Sequence, residues 1–172
     1  MAGYWKNPDS TAKTIVDGWL HTGDMGYVSD KHPGYLWVVG RFKSLLISAD
    51  GEKYSPEGFE DSLTDSSKYI EQVILHNNQD PYTIVLIVPN KDALKEHVKR
   101  LGIDPSTEAG KKAMLQKIQD EVNEYRSGRF MGMFPEMWLP KAIAVLPEAL
   151  TEQNHMVNYT MKIVRGKVEE DS

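Results

Sequence analysis

The hydrophobic pattern of the chain changes near residue 41. Before that point apolar positions are scattered among Gly, Pro, Asp and Trp, with little helical periodicity. The run Gly18-Trp19-Leu20-His21-Thr22-Gly23-Asp24 reads as a short strand entering a turn, and Asp30-Lys31-His32-Pro33-Gly34 as a second turn. Tyr35-Leu36-Trp37-Val38-Val39 reads as a strand. Together they predict a β-hairpin with too few apolar residues for a core of its own. A two-stranded unit is marginal alone, so its expected place is the edge of something larger.

From Arg41 onward the pattern is α+β. Leu45-Leu46-Ile47 predicts a short strand and Ser48-Ala49-Asp50-Gly51-Glu52 a turn. Ser55-Pro56-Glu57 predicts a helix start, with Ser as N-cap and Pro at the first helical position, and the helix runs to about Ser66. Val73-Ile74-Leu75 and Tyr82 to Val88 have the Val and Ile density of buried strands, joined by the polar turn Asn77 to Pro81. Asn90 is placed to cap a helix that stops at Gly102. A second helix is expected from Thr107 to Arg126, because Met114, Leu115, Ile118, Val122 and Tyr125 recur at three- and four-residue steps, the spacing of a core-facing stripe. Ala142 to Leu146 predicts a last strand, and residues 151–165 mix polar turn residues with Thr160-Met161-Lys162-Ile163-Val164. There is no internal repeat and no low-complexity segment.

Composition narrows the function classes. The 172 residues are 40% apolar and 26% charged, enough to bury a core, and the net charge is −5. A mildly acidic chain without a dense basic block has no general attraction to nucleic acid. There are no cysteines, which removes disulfides, thiolate metal sites and a thiol nucleophile. The five His have no metal-ligand spacing, so no metal site is expected. The first residues lack the apolar core of a signal peptide, and the longest apolar run, Ile84 to Pro89, is too short to span a bilayer. A cytoplasmic protein is the default expectation.

No complete catalytic set is visible: there is no Gly-rich phosphate loop and no serine in a nucleophile elbow. Three separated patches nevertheless carry chemistry. Asp24, in a Gly-flanked turn, can present both carboxylate oxygens to a vicinal diol such as a ribose; the plainer reading is an Asp that closes its own turn. Gly40-Arg41-Phe42-Lys43, followed by Gly51-Glu52-Lys53-Tyr54-Ser55-Pro56 and Glu60, offers a guanidinium fork suited to hydroxyl or phosphate oxygens, or else a solvated basic pair. Lys162, near the C-terminus, can bring a point charge to a phosphate, or can be an ordinary surface lysine.

In this order and at this spacing, the patches resemble the adenylate-forming superfamily of acyl-CoA synthetases, adenylation domains and luciferases. Its members share a Thr-Gly-Asp turn, a Gly-Arg-x-Lys or Gly-Arg-x-Asp linker, a Gly-x-x-x-x-Pro-x-x-x-Glu stretch and a lysine near the C-terminus. Here these are Thr22-Gly23-Asp24, Gly40 to Lys43, Gly51 to Glu60 with Pro56, and Lys162. The opening Gly3-Tyr4-Trp5-Lys6-Asn7-Pro8 and Thr11 also resemble the segment before that turn, so the resemblance covers nearly the whole chain.

The resemblance implies a fold and a set of roles. The fold is α+β: a small mixed β-sheet with packed helices, as in the C-terminal domain of these enzymes, preceded by a β-hairpin from a missing N-terminal domain. Residues 1–41 would end the large AMP-binding domain, and 42–172 would form the mobile C-terminal domain. Asp24 would grip the ribose hydroxyls, and Arg41 would be a second nucleotide contact. Lys43 would be the hinge of domain rotation, and Gly51 would lie in a loop facing the CoA pantetheine. Lys162 would reach the α-phosphate during adenylation. The implied substrates and cofactors are ATP, Mg²⁺, CoA and a fatty acid; none is expected to bind the fragment tightly, and the implied partner is the N-terminal domain of the same polypeptide. Peripheral membrane association would run through that domain.

The stretch between Pro89 and Pro140, Thr160-Met161-Lys162, Phe134-Pro135, Pro140 and Leu150 to Asn154 most resemble long-chain fatty acid–CoA ligases. His155, Asn158 and Tyr159 depart from the usual Gly, Thr and Pro of the lysine loop, and Phe59 replaces Ile or Val. The superfamily's phosphate loop and acyl pocket lie upstream of any residue in the chain, so the fragment alone is expected to be inactive. Two alternatives stay open: an acyl-AMP ligase that delivers to a carrier protein, and a stand-alone, non-enzymatic binding domain.

Overall fold

A computed structural model describes residues 1–157, and the chain forms two compact units that meet in sequence between Leu45 and Leu46. The first unit opens with a helix that the sequence pattern did not predict, α1 (Pro8–Thr14). Asn7 caps it by accepting from the Ser10 amide at 3.0 Å, and Pro8 takes a first-turn position where no N–H is needed. Two short antiparallel pairs follow: β1 (Ile15–Val16) with β2 (Trp19–Leu20), and β3 (Asp24–Val28) with β4 (Leu36–Arg41).

The expected hairpin therefore exists, but Asp24, expected in a turn, starts its first strand. Trp19 and Leu20 pair back onto β1, and Gly23, at φ +77°, turns the chain into β3. A bulge between Met25 and Gly26 leaves Val39 as the extra residue on β4. A side chain at Gly26 would meet the Trp37 carbonyl at 2.7 Å, so only glycine fits there. Among the described residues of this unit only Ser29 and Gly40 are buried. Trp5 is 87% exposed and Trp19 77%, with Tyr35 and Leu36 each at 67%. The hairpin has no core.

The second unit has one. Its centre is a three-stranded sheet in the order β7 (Ile70–His76), β8 (Ile84–Pro89), β9 (Ala142–Val145), antiparallel between the first two and parallel between the last two. The parallel return is made by α3 (Lys91–Arg100) and α4 (Glu108–Ser127). Alternation along the strands sorts the core into two layers. Val73, Leu75, Val85 and Ile87 join a cluster with Phe59 and Leu63 of α2 (Glu57–Ser66), with Leu94 of α3, and with Ile118, Val122 and Tyr125 of α4. Ile74, Leu86 and Val88 pack instead with Leu150 and Val157 of the C-terminal segment. Burial on both faces is why β8 reads as an unbroken apolar run.

Local signals set the helix ends. The Asn90 side chain accepts from the Ala93 amide at 3.1 Å, as its position predicts, and the Thr107 hydroxyl, just before α4, accepts from the Gly110 amide at 3.1 Å. Gly102, at φ +76°, follows α3. Two expectations fail. Ser55 does not cap α2: Pro56 is the N-cap, in helical conformation, its carbonyl accepts from both Phe59 and Glu60, and the buried Ser55 hydroxyl has no partner among the described residues. Leu115 does not join the core: it shares the stripe's spacing with Ile118 and Val122, but stands at the stripe's edge and is 48% exposed. The observed architecture is thus α+β, with several small sheets and four α-helices among the described residues.

Candidate functional site

In the first unit the structure brings together two of the residues singled out from sequence. Asp24 and Arg41 are opposite each other in the β3–β4 register, where same-face side chains meet. Their side chains form an ion pair, Nε to Oδ1 at 3.4 Å, with Asp24 41% and Arg41 52% exposed. The turn before Asp24 is closed by Thr22, whose hydroxyl accepts from the Asp24 amide at 3.1 Å, and by the Phe42 amide donating to the Gly23 carbonyl at 2.8 Å. The Asp24 carboxylate is therefore not what holds its own turn. It stands at the strand mouth beside a guanidinium, with exposed oxygens, an arrangement able to accept from a diol while the cation faces an anionic group.

Lys43 lies in a 3₁₀ turn, Phe42–Ser44, two residues before the change of unit. Gly51 is in the second unit, at the tip of the hairpin formed by β5 (Leu46–Ile47) and β6 (Lys53–Tyr54). It adopts φ +84°, and no atom lies within 4 Å of where a Cβ would be, so the conformation rather than crowding calls for glycine. The tip is tightly bonded within itself. Ser48 donates its amide to the Glu52 carbonyl at 2.9 Å, Gly51 donates to the Ser48 carbonyl at 2.9 Å, and the Ser48 hydroxyl donates to Asp50. That hydroxyl is the main cause of an Asp50 carboxyl pKa below its usual value. Lys162, Asn158 and Tyr159 lie outside the described residues. His155 is described: it takes φ +59°, a left-handed conformation that glycine adopts without strain.

The structure adds buried polar residues that sequence reasoning gave no role. Glu60 is 7% exposed and accepts from the Leu75 amide at 2.6 Å, which ties α2 to β7. The Tyr54 hydroxyl meets Thr83 Oγ1 at 2.6 Å, and the Asn77 amide nitrogen donates to the same oxygen at 3.1 Å. Burial pushes the Tyr54 phenol pKa up. The signal available in sequence was a Tyr directly after a turn and a lone Thr at the head of an apolar strand; nothing there says that they meet. Gln72 makes a reciprocal pair with the Leu150 backbone, donating to its carbonyl at 3.0 Å and accepting from its amide at 2.8 Å.

Comparison with known proteins places this arrangement in a family. Residues 43–128 match the model of the AMP-binding enzyme C-terminal domain, and the chain belongs to that family of adenylate-forming enzymes. The probable acyl-activating enzyme 16 of Arabidopsis thaliana is 28% identical over 98% of this chain and 24% of its own length. The long-chain-fatty-acid–CoA ligase 5 of Mus musculus is 31% identical over 95% of this chain and 24% of its own. The crystal structure of the adenylation domain of a carboxylate reductase from Mycobacterium chelonae superposes with a TM-score of 0.78 at 23% identity, covering 98% of this chain and 24% of that one. That likeness shows a shared fold. The chain thus spans about a quarter of the length of the relatives it matches. No helix among the described residues is long and apolar enough to cross a membrane.

Proposed function

We propose that this chain is the C-terminal part of an ATP-dependent fatty acid–CoA ligase of the long-chain type. The whole enzyme converts a fatty acid, ATP and CoA to acyl-CoA, AMP and pyrophosphate through an acyl-adenylate. The observation that carries this reading is the Asp24–Arg41 pair, held in register at the mouth of a hairpin whose large apolar side chains are exposed. A hairpin without a core belongs on a larger domain, and a carboxylate–guanidinium pair at its mouth suits the ribose and phosphate of a nucleotide. The names of relatives such as the mouse ligase support the fatty acyl substrate.

In this reading residues 1–41 complete the large AMP-binding domain, and 42–172 are the mobile domain, turning about Lys43 in a cytoplasmic enzyme. Asp24 accepts from the two ribose hydroxyls and Arg41 contacts the nucleotide beside it. ATP enters as its Mg²⁺ complex. Attack of the fatty carboxylate on the α-phosphate brings two anions together. The Lys162 ammonium offsets the charge that builds on the phosphoryl oxygens, a contact worth about 3–4 kcal/mol in a water-excluded site. Rotation of the domain then withdraws Lys162 and presents the Gly51 loop to the pantetheine thiol.

The test compares the 172-residue chain with the polypeptide encoded together with its upstream sequence. Only the longer one is expected to form acyl-CoA from fatty acid, ATP and CoA; acyl-CoA made by the 172 residues alone, or a gene with no phosphate loop upstream of Met1, would refute the reading. Supplying a carrier-protein thiol in place of CoA identifies the acceptor. In the active polypeptide, Lys162→Ala is expected to slow adenylation several-hundred-fold while sparing thioester formation from supplied acyl-adenylate. Equal loss in both would remove the assigned role.

A further inference from the structure

The Gly51 loop stands on a hairpin of two residues per strand, too short to hold a direction by its own pairing. Its tip is rigid within itself, so its aim is decided at the base. There two attachments run to the three-stranded sheet. The first is backbone: Gln79 donates to the Ile47 carbonyl at 2.8 Å, and Ile47 donates to the Asn77 carbonyl at 3.4 Å. The second is a buried polar hub. Thr83 Oγ1 is shared by the Tyr54 hydroxyl and the Asn77 amide, while Asn77 Oδ1 accepts from the Asp80 amide at 3.0 Å. Tyr54, Asn77 and Thr83 are 2%, 4% and 1% exposed. Thr83 is itself fixed at the head of β8, where its carbonyl accepts from the Lys141 amide at 2.9 Å. A stacked Trp138, 5.0 Å from the Tyr54 ring and 11° from parallel, closes the other side of that ring.

A buried polar cluster costs desolvation that an apolar trio of the same shape would avoid. What the hub supplies and an apolar contact cannot is direction: hydrogen bonds fix where the Tyr54 ring, and with it β6, stands against β8. We propose that Thr83 is a positioning residue for the thioester-forming step, setting the aim of the Gly51 loop through Tyr54 and Asn77. This rests on the reading in which that loop serves the second half-reaction. A misplacement of about 1 Å in a reacting assembly typically costs up to a hundredfold in rate, and the hub lies in the arm that carries the loop.

The experiment replaces Thr83 by Val, which keeps the shape and removes the hydroxyl, and by Ser, which keeps the hydroxyl. In the full-length enzyme, Thr83→Val is expected to slow thioester formation from supplied acyl-adenylate about tenfold or more, to leave fatty-acid-dependent ATP–pyrophosphate exchange within about twofold, and Thr83→Ser to restore the rate. In the 172-residue chain, amide exchange should quicken in residues 47–54 of Thr83→Val while Val73 and Ile87 keep their protection. Unchanged exchange in the loop, or equal loss in both half-reactions, overturns the positioning role. A wild-type enzyme that forms no acyl-adenylate overturns the ligase reading itself, and this inference with it.

Discussion

Replacing Asp24 by Ala separates a residue that serves a ligand from one that serves the fold. The carboxylate pairs with Arg41 at 3.4 Å, and both side chains are about half exposed. Exposed ion pairs are worth about 0–1 kcal/mol. The turn keeps its own hydrogen bonds, from Thr22 and between Phe42 and Gly23, because none uses the Asp24 side chain. The variant is therefore expected to melt within about 4 °C of wild type. Function should respond on another scale. Two ribose hydroxyls donating to one carboxylate are two charge-assisted hydrogen bonds, each worth about 1.5–3 kcal/mol. Their loss amounts to about 3–6 kcal/mol, or roughly a hundredfold to ten-thousandfold in kcat/KM for ATP. Fatty-acid-dependent ATP–pyrophosphate exchange by the full-length enzyme measures it, with Asp24→Asn retaining part of the activity because one amide oxygen still accepts. Activity within tenfold of wild type, or a variant that no longer folds, would show that Asp24 holds structure and not nucleotide.

Further expectations follow from packing and charge. Ile118→Ala should cost about 2–5 kcal/mol in urea denaturation, as a buried core truncation does, and Leu115→Ala no more than about 0.5 kcal/mol, since Ile118 is 2% and Leu115 48% exposed. His155→Gly should raise stability by up to about 1 kcal/mol by relieving a left-handed conformation, read as a higher urea midpoint. The chain should lose stability at alkaline pH. Burial raises the Tyr54 phenol above its ordinary value of 10.0, and the hydrogen bond to Glu121 raises Lys117 above 10.5. Both native pKa values exceed the unfolded ones, so these contributions are complete below about pH 10 and fall away as pH rises through the native values. Urea midpoints from pH 8 to 11 measure the slope, and Tyr54→Phe should flatten it.

The elements legible in sequence were those whose signal is local and repeated. The α4 stripe, the Asn90 cap and the unbroken apolar run of β8 each state their own structure within a few residues. The hairpin register was harder. Gly23 and Gly26 on either side of Asp24 read as a turn, whereas Asp24 starts a strand. Helix α1 buries no residue, and only Asn7 and Pro8 announced it. Of the site, the Thr-Gly-Asp turn and the Gly-Arg linker were visible as separate patches, and strand pairing is what set Asp24 against Arg41. The Tyr54–Thr83–Asn77 hub was invisible because each member, taken alone, is an ordinary turn or strand residue, and their meeting is a property of the packed sheet.

The pairing of Gln72 with Leu150 sets a length on the chain that follows. With Leu150 bonded to β7 and Val157 buried against the sheet, the C-terminal segment is moored to the body of the second unit. Lys162 comes five residues later, and five residues at full stretch cover at most about 18 Å. If Lys162 meets a phosphate as proposed, its backbone does so within that distance of Val157; a phosphate farther away requires Val157, and the body of the second unit that holds it, to travel too.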